Sequence, residues 1–527
     1  MIRTTALFLF VGGLAVYARR DWFVSLCGLI LLMAVVEHPD APKTMFGIQG
    51  LSIWNLLLVV VCWAWYRARK TEGSTWDLPK GLTVMLLGYL AVVLVGFARM
   101  IVDRRFLEDS STLSLVSEYL VNTVKWVIPA LLLFDGARDR RRFALGIGAI
   151  LGVYVLLALQ VIKWMPLQML NSGDDLQQRA LKILVNEVGY HRVTMSMMLA
   201  GASWALFCAR GLVRPGWQRV GVMACAAAVV MAQALTGGRM GYATWALIGL
   251  VLLSIRDRAY LLLAPVMVIA VWLLVPAAGQ RLLEGISPGS REYAMRVAQV
   301  TGDRRVLEKV DLDTMTAGRT LIWPYVEAKI ADAPVLGYGM LAMRRVGLVT
   351  FLASSLGEGF DHPHNAYFEI LLDSGIVGLV LVLPFYLLVL ARALSLYADA
   401  RSPVFMAAGG AAAALVLALL VASLGAQSFY PREGTVGMWC AIGLMLRVWV
   451  QRDRALSAAL PVPDQPRPAV PAARPPSSVI VWPDARPETS GAGQAAIRKP
   501  DVEAAAPVPV GTPEASGIET RLWRHTA

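Results

Sequence analysis

The sequence has few charged residues for its length. Only 16% of the 527 residues are Asp, Glu, Lys or Arg, whereas 57% are hydrophobic. A soluble domain carries about 25% charged residues, so this composition excludes an ordinary soluble protein. The apolar residues come in runs of about 17 to 25, the length that crosses the roughly 30 Å hydrocarbon layer of a bilayer. We therefore predict a polytopic membrane protein.

Cysteine and histidine are scarce, with five of each. All the cysteines lie inside apolar runs and none forms a CxxC pair, which indicates packed helices rather than metal or redox chemistry. The net charge of +12 is compatible with nucleic-acid binding. However, the Lys and Arg residues cluster at the ends of apolar segments, the pattern that sets orientation in a membrane. We therefore expect a membrane protein with no nucleic-acid partner.

Thirteen apolar segments are candidate spans, and we expect twelve or thirteen of them to cross the membrane. They cover residues 4–18, 22–36, 48–66, 81–98, 117–134, 143–162, 191–209, 217–236, 239–255, 259–277, 366–391, 403–424 and 434–450. Lys and Arg are concentrated in alternate short loops, which the positive-inside rule assigns to the cytoplasm. This assignment places the N-terminus outside and the C-terminus inside.

The predicted fold is an all-α, polytopic membrane helix bundle in four parts. These are an N-terminal bundle (1–277), a large outer loop subdomain (278–365), C-terminal membrane helices (366–454) and a tail (455–527). The loop is too long for a simple connection. Another outer segment, 163–190, contains a short amphipathic helix. The tail is rich in Pro and Ala and is predicted to be disordered; it either binds a cytoplasmic partner or is a dispensable solvated segment.

Two of the histidines stand one residue apart at the start of an apolar segment, in DHPHNAYFEILLDSGIVGLV. Asn365 is a favourable N-cap, so we expect a helix to begin at the next residue. Asn365, Glu369 and Asp373 are spaced four apart and share one helical stripe. A polar stripe of this kind faces other protein rather than lipid. These residues predict a site at the outer edge of the membrane.

His364 has three possible roles. As a neutral imidazole, it would accept a proton from a substrate hydroxyl. Alternatively, His362 and His364 would hold a metal with Asp361 or Glu369, although an HxH pair without a further His or Cys is a weak metal signal. In the third role, which is purely structural, both histidines form hydrogen bonds with the loop backbone. We expect no metal ion and no cofactor.

Two arginines lie on the predicted outer side, one at the end of a span and one in the large loop. Arg239 follows two glycines in LTGGRMGY, and Arg319 precedes a predicted helix over 320–331. Guanidinium groups that converge there suit a diphosphate, because the planar fork grips phosphate oxygens in two places. The alternative for Arg239 is that it reaches to lipid headgroups.

Two further cations are candidate substrate-binding residues. Lys125 lies near the middle of a predicted span, where a charge is costly and indicates a function by default. The alternative is that it pairs with a buried group and fixes helix packing. Arg192 begins another span at the outer face, where an interfacial anchor is the alternative role.

The segment HPHNAYFEILLDSGIVGLVLVL resembles the HxHNxYLxxLxExGxxGLxxFL signature of the O-antigen ligase and Wzy-type polymerase superfamily. Upstream, TGGRMGY resembles the TxSRGA segment of that family, with Gly238 where serine is usual. GRTLIWPYVEAKIADAPVLGYG resembles its GRxxLWxxALxxIxxxPLxGxG segment. The three segments occur in the family's order, between about Leu235 and Val380.

The resemblance implies an enzyme of the bacterial inner membrane whose site faces the periplasm. It would move a glycan from undecaprenyl diphosphate to a hydroxyl, without metal or cofactor. The acceptor is the lipid A core in ligases, a second lipid-linked glycan in polymerases and a protein hydroxyl in a related branch.

Carried over to this chain, the resemblance gives roles to the matching residues. Arg239 and Arg319 would bind the diphosphate leaving group. His364 would assist the acceptor hydroxyl or bind phosphate, and Asn365 and Glu369 would surround them. His362, Arg192 and Lys125 remain further substrate-binding candidates.

Two other classes of protein share some of these features. A transporter or flippase of lipid-linked glycans would account for Lys125, but transporters often show two comparable halves, and here the polar candidates gather around one large loop. A non-catalytic membrane scaffold would account for the tail.

Overall fold

The computed structural model describes residues 2–45, 50–73, 75–108, 110–166, 173–263, 265–266, 269–270, 273, 275–283, 319–356, 360–425 and 427–459. Within these ranges the chain forms helices and no β-strand, which confirms the predicted all-α fold. Most of the predicted tail and residues 284–318 of the predicted outer loop lie outside them. The boundaries of the four predicted parts therefore stay predictions.

The α-helices of the described ranges are numbered here in chain order. They are α1 Ile2–Tyr17, α2 Trp22–Leu31, α3 Ile53–Glu72, α4 Lys80–Val102, α5 Thr112–Leu115, α6 Asn122–Lys125, α7 Ile128–Gly136, α8 Arg140–Trp164, α9 Gly173–Ile183, α10 Arg192–Ala209, α11 Trp217–Leu235, α12 Arg239–Ile255, α13 Pro276–Leu283, α14 Arg319–Asp332, α15 Ala342–Arg345, α16 Leu348–Leu356, α17 Ala366–Ala398, α18 Pro403–Ala422 and α19 Val436–Ala459. The π-helical segments are Val116–Val121 and Leu184–Val188, and the 3-10 turns are Leu32–Ala34, Arg258–Leu263 and Glu433–Thr435.

Several of these helices are long and apolar enough to cross a membrane. Among the described residues, seven qualify: Lys80–Val102, Thr112–Gly136, Arg140–Trp164, Arg192–Ala209, Trp217–Leu235, Ala366–Ala398 and Pro403–Ala422. Shorter apolar helices cover Thr4–Tyr17, Trp22–Ala34 and Arg239–Ile255. These helices confirm a multi-pass membrane fold. The predicted span 259–277 contains residues outside the described ranges, so the expected number of twelve or thirteen spans stays a prediction.

One end of the bundle is fastened by arginine–carboxylate pairs. The pairs there include Arg69–Asp135 at 2.8 Å, Arg210–Asp257 at 2.6 Å, Arg447–Asp77 at 2.6 Å and Arg452–Asp399 at 3.5 Å. These arginines come from the loops and helix ends that the charge pattern assigns to the cytoplasm. Because α3, α17 and α19 each end here, their first turns lie at the opposite end of the bundle.

Arg447 is the most buried arginine of these pairs. Its side chain is buried and donates to both carboxylate oxygens of Asp77, at 2.7 and 2.6 Å, and to the Phe134 carbonyl at 2.6 Å. Burial acts to raise the pKa of Asp77, but the hydrogen bond and charge of Arg447 outweigh it and hold that pKa below its ordinary value. The pair therefore stabilises the fold above the ordinary carboxyl pKa, and this contribution is lost as pH falls through the lowered one.

We expect Arg447→Ala to lower the free energy of unfolding by about 3 kcal/mol or more, because it removes the buried partner of a largely buried carboxylate. The matched control is Arg454→Ala, since Arg454 contacts the same carboxylate at 2.8 Å from a 62% exposed position. An exposed partner contributes about 1 kcal/mol or less. Thermal unfolding in detergent compares the two variants, and equal losses would contradict the prediction.

Helix α17 is interrupted inside the membrane-spanning stretch. Gly375 has φ 61° and ψ −162°, a backbone conformation that other residues rarely adopt. The residues from Pro334 to Gly339, within the predicted outer loop, fill the interruption. Four backbone hydrogen bonds join this segment to α17. They run from Ile376 N to Pro334 O (2.9 Å), from Val377 N to Val335 O (3.2 Å), from Tyr338 N to Leu372 O (2.9 Å) and from Gly339 N to Asp373 O (2.6 Å). These bonds satisfy backbone groups that water cannot reach in a bilayer.

Two arginines hold the inserted segment against the end of α4. Arg345 is 3% exposed and donates to the carbonyls of Tyr338 (2.7 Å) and Asp103 (2.6 Å). It also pairs with the Asp103 carboxylate at 3.0 Å. Arg99 donates to the Gly337 carbonyl at 2.7 Å. The inserted segment is therefore fixed between α4 and α17, beside the first turns of α17.

The described part of the predicted outer loop is a small helical unit. Helix α14 matches the predicted helix over 320–331 to within one residue at each end. It packs with α15 and α16 around a hydrophobic cluster of Ile322, Val326, Ala342, Met343, Leu348, Leu352, Phe360 and Leu372. Since Leu372 belongs to α17, this cluster anchors the unit on α17, the helix whose first turns contain the predicted site residues.

Candidate functional site

A cavity of about 480 Å³ opens where α17 begins. Its walls are the first turns of α17, the π-helical segment with α6, the start of α15 and the loop before α19. The lining residues among those described are Glu118, Tyr119, Asn122, Thr123, Trp126, Met340, Leu341, Arg344, Asp361, His362, Glu369, Asp373, Tyr430, Pro431, Arg432 and Glu433. The cavity thus lies at the end of the bundle opposite the arginine–carboxylate pairs.

Asn365 fixes the start of α17, as predicted. Its side-chain oxygen accepts hydrogen bonds from Tyr367 N at 2.9 Å and Phe368 N at 3.4 Å. The next backbone group, Ala366 N, donates to the carbonyl of Ser423 at the end of α18. Together these bonds satisfy the first amides of the helix and set the position of the two histidines before it.

The two histidines lie against each other. Their ring centroids are 4.0 Å apart, and the backbone N–H of His364 donates to Nδ1 of His362 at 3.2 Å. His362 lines the cavity, whereas His364 packs edge-on against Phe360 and is not among the described lining residues. His364 has φ 53°, a strained conformation for a residue with a Cβ. No group of three or more His, Cys, Asp or Glu in the described ranges is arranged to hold a metal.

The acidic stripe predicted on α17 faces the cavity. Glu369 lies 3.7 Å from the guanidinium of Arg432. Asp373 accepts hydrogen bonds from Ala342 N and from the Tyr430 hydroxyl, both at 3.0 Å. Burial, and then the charge of Asp373, raise the pKa of Tyr430 well above its ordinary value. Tyr430 therefore stays protonated and donates its hydrogen bond at all physiological pH values.

Arg192 and Arg239 are held at two neighbouring helix starts, and neither is among the described lining residues of the cavity. Each is the first residue of its helix, α10 and α12. The guanidinium of Arg192 donates to the Gly237 carbonyl at 3.3 Å and lies within electrostatic range of Arg239. Gly237 has φ 65°, so the turn before Arg239 depends on glycine.

Helix α10, which Arg192 begins, contacts the cavity wall. Gly434 follows the lining residue Glu433 and packs on Thr194, two residues after Arg192. A Cβ on Gly434 would come within 2.4 Å of the Thr194 methyl group. The start of α10 is therefore the neighbour of the cavity wall formed by the loop before α19.

The remaining two predicted cations are placed differently. Arg319 is the first residue of α14, and its side chain is outside the described part of the structure. Lys125 donates to Asn55 Oδ1 at 3.1 Å and lies 4.1 Å from the ring centre of Trp126. Trp126 lines the cavity, but Lys125 is not among the described lining residues. These contacts fit the alternative role considered for Lys125, in which it pairs with a neighbouring group and fixes helix packing.

Several lining residues were not predicted as site residues. No role was predicted from the sequence for any of Arg432, Arg344, Glu118, Tyr119 and Tyr430. They come from separate stretches of the chain that only the tertiary fold brings together. A polar FYPRE sequence in an outer loop between two apolar segments was the one available hint for Tyr430 and Arg432.

Comparison with known proteins places this region in a family. Residues 222–383 match the O-antigen ligase family. A Rickettsia conorii protein named "Putative polysaccharide ligase RC0486" is 36% identical over 72 residues. That match covers 13% of this chain and 18% of the relative. The matched domain contains Arg239, the two histidines and the acidic stripe. The similarity to the O-antigen ligase family is therefore a property of residues 222–383, and the chain spans less than a fifth of the length of the curated relative.

Proposed function

We propose that the protein transfers a glycan from a polyprenyl diphosphate to an acceptor hydroxyl, as a ligase or polymerase of cell-surface polysaccharide in the bacterial inner membrane. The observation that carries this proposal is the cavity at the start of α17. It presents His362, Glu369 and Asp373, all from the domain that matches the O-antigen ligase family.

The proposed reaction is a displacement at the anomeric carbon of the donor glycan. The acceptor oxygen forms a bond to that carbon, the bond to the diphosphate oxygen breaks, and the hydroxyl proton passes to a base from the histidine pair. Diphosphate leaves readily once its charge is stabilised, and such stabilisation is often the largest single catalytic term. Arg192 and Arg239, held together at two helix starts, are the proposed diphosphate-binding pair, with Arg319 as a further candidate.

The proposed site faces the periplasm. The arginine–carboxylate pairs lie at the opposite end of α3, α17 and α19 from the cavity. Positive charge in short loops marks the cytoplasmic side of a membrane protein. A lipid-linked donor in the outer leaflet would then present its diphosphate at the level of the cavity.

The glycan profile of a deletion strain tests this function. A ligase is expected to leave lipid-linked polymer, and a polymerase to leave single lipid-linked repeat units. An unchanged profile in the deletion strain would contradict both. Normal synthesis with lipid-linked glycan held on the cytoplasmic face would indicate a transporter instead.

We expect His364→Asn to abolish complementation of that strain while the protein level stays normal. Asparagine tolerates the left-handed backbone conformation of this position, so the substitution removes the imidazole without forcing the loop to move. The control is His38→Asn, a histidine in a loop that does not line the cavity. Full surface glycan in the His364→Asn strain would exclude His364 from the reaction.

A further inference from the structure

The cavity has a second wall that the proposed chemistry does not use. We propose that this wall, formed by Glu118, Tyr119, Asn122 and Trp126, binds the acceptor sugar, and that it accepts neutral or amino sugars and rejects acidic ones. This inference rests on the proposed function, since it divides the two substrates of that reaction between two neighbouring sites.

The second wall has the side chains that recognise carbohydrate. Tyr119 and the exposed edge of Trp126 supply aromatic surface for the apolar face of a sugar ring, and Glu118 and Asn122 supply acceptors and donors for its hydroxyls. A small number of converging polar groups on an apolar surface is typical of a small-molecule binding site. The wall therefore fits a sugar ring with several hydroxyls.

The local backbone supports a binding role. Residues Val116–Val121 form a π-helical segment, which ends where α6 begins. Single π-helical turns within helices occur frequently at functional sites, because the wider turn redirects side chains. Glu118 and Tyr119 both lie on this segment, and Asn122 is the residue that follows it. The π-helical turn thus brings the polar and aromatic groups to one wall.

The aromatic floor of the wall is held in place before any ligand binds. Trp126 is 5% exposed, and its ring centroid lies 4.7 Å from that of Trp54. Lys125 lies over the Trp126 ring at 4.1 Å and is tied to Asn55. A preorganised aromatic surface lowers the entropy lost on binding. This gives Lys125 a positioning role behind the sugar site rather than direct contact with substrate.

The charge of the cavity decides which ligand it takes. Its described lining has five carboxyl groups and two arginines, Glu118, Asp361, Glu369, Asp373 and Glu433 against Arg344 and Arg432. Even without Glu369 and Asp373, the two carboxyls of α17, the lining has three carboxyl groups against two arginines, so the excess of acidic groups remains. An excess of negative charge disfavours a phosphate or a uronic acid and favours a neutral or cationic sugar.

The same charge balance places the diphosphate outside this cavity. Arg192 begins the helix whose Thr194 contacts Gly434, the residue next to Glu433 in the cavity wall. Its guanidinium donates to the carbonyl of Gly237, two residues before Arg239. A donor diphosphate on the arginine pair and an acceptor sugar in the cavity would meet near the first turn of α17. The histidine pair lies at that turn, which is the position required of the base.

Protection of an engineered cysteine tests the sugar site. In a background with Cys62→Ala and Cys225→Ala, the three remaining cysteines are buried, so a maleimide labels Asn122→Cys selectively. The probes are undecaprenyl diphosphate and the oligosaccharides released by mild acid from the host's own glycolipids, separated by anion exchange into acidic and non-acidic pools. The control is Arg105→Cys, an exposed position away from the cavity.

We expect the non-acidic pool to slow labelling of Asn122→Cys by at least about tenfold at saturation, and to leave Arg105→Cys unchanged. Protection by the acidic pool or by undecaprenyl diphosphate would overturn the assignment, and so would protection by none of the probes. This readout needs no turnover, so it can fail while the glycan profile still supports a ligase or polymerase.

A kinetic experiment on the reconstituted protein gives a second readout. Glu118→Gln is expected to raise the KM for acceptor about tenfold, with the KM for lipid-linked donor unchanged. A rise in the donor KM instead would assign this wall to the donor and overturn the inference. Loss of folded protein would lower kcat and leave both KM values unchanged. The control is Arg105→Gln, an exposed position that does not line the cavity, which is expected to leave the acceptor KM unchanged.

Discussion

Gly375→Ala is expected to destabilise the protein more than any other single methyl addition to α17. A Cβ at this position would lie 2.3 Å from the backbone carbon and oxygen of Val335. It would also have to adopt φ 61° and ψ −162°, a combination confined almost entirely to glycine. Neither the clash nor the strain is relieved by a side-chain movement, because the contacting atoms belong to the backbone of the inserted segment.

The expected cost is more than about 3 kcal/mol of unfolding free energy, since a backbone outlier and a backbone clash combine. We expect a large fall in the thermal midpoint in detergent and loss of surface glycan. Gly337→Ala should act similarly, because Gly337 has φ 56° and its Cβ would lie 2.5 Å from the Leu372 carbonyl oxygen. The two substitutions test one junction from its two sides.

The control for this prediction is Gly148→Ala in α8. A Cβ added at Gly148 would meet no atom within 4 Å, and the residue lies on an exposed helical face. Alanine at such a site is expected to be neutral or to gain up to about 1 kcal/mol of helix propensity. Equal behaviour of Gly375→Ala and Gly148→Ala would show that the interruption of α17 does not constrain the fold.

The interruption of α17 could not be predicted from the sequence, although the helix itself could. Hydropathy predicted a membrane span over 366–391, and Asn365 predicted its first residue, because both are local properties of the chain. The break at Gly375 is satisfied by hydrogen bonds from Pro334 to Gly339, some forty residues earlier. Nothing local to α17 distinguishes Gly375 from a glycine that simply packs in a helix. Only the inserted segment explains its conformation.

The site was predictable to the same extent. His362, Asn365, Glu369 and Asp373 were predicted as candidates because they are close in sequence and share a helix start. Tyr119, Arg344 and Tyr430 reach the same cavity from other elements, so spacing along the chain carried no information about them. The expectation that Arg239, Arg319 and His364 meet in a single cavity stays a prediction. Neither Arg239 nor His364 is among the described lining residues, and the side chain of Arg319 is outside the described part of the structure.

The second large effect is expected from Arg239. We expect Arg239→Ala to lower the rate of glycan transfer by about 10² to 10³-fold, the loss typical of removing one electrostatic group from a developing charge. Arg239→Lys should restore only part of this rate, because an ammonium group cannot grip two phosphate oxygens as a guanidinium does. Transfer is measured with the reconstituted protein and lipid-linked glycan extracted from the deletion strain. Arg219→Ala, an exposed arginine at the far end of α11, is the control.

The double variant Arg192→Ala/Arg239→Ala tests whether the two arginines bind one diphosphate together or have independent roles. If both guanidiniums bind one diphosphate, removing the second after the first should cost little more, because groups that act as a unit are strongly non-additive. Two independent roles would multiply the single losses to about 10⁴-fold or more. If instead Arg239 only anchors α12 at the membrane surface, Arg239→Ala should lower the thermal midpoint and leave the rate per folded molecule unchanged. The ratio of rate to folded protein therefore decides between catalysis and anchoring at this helix start.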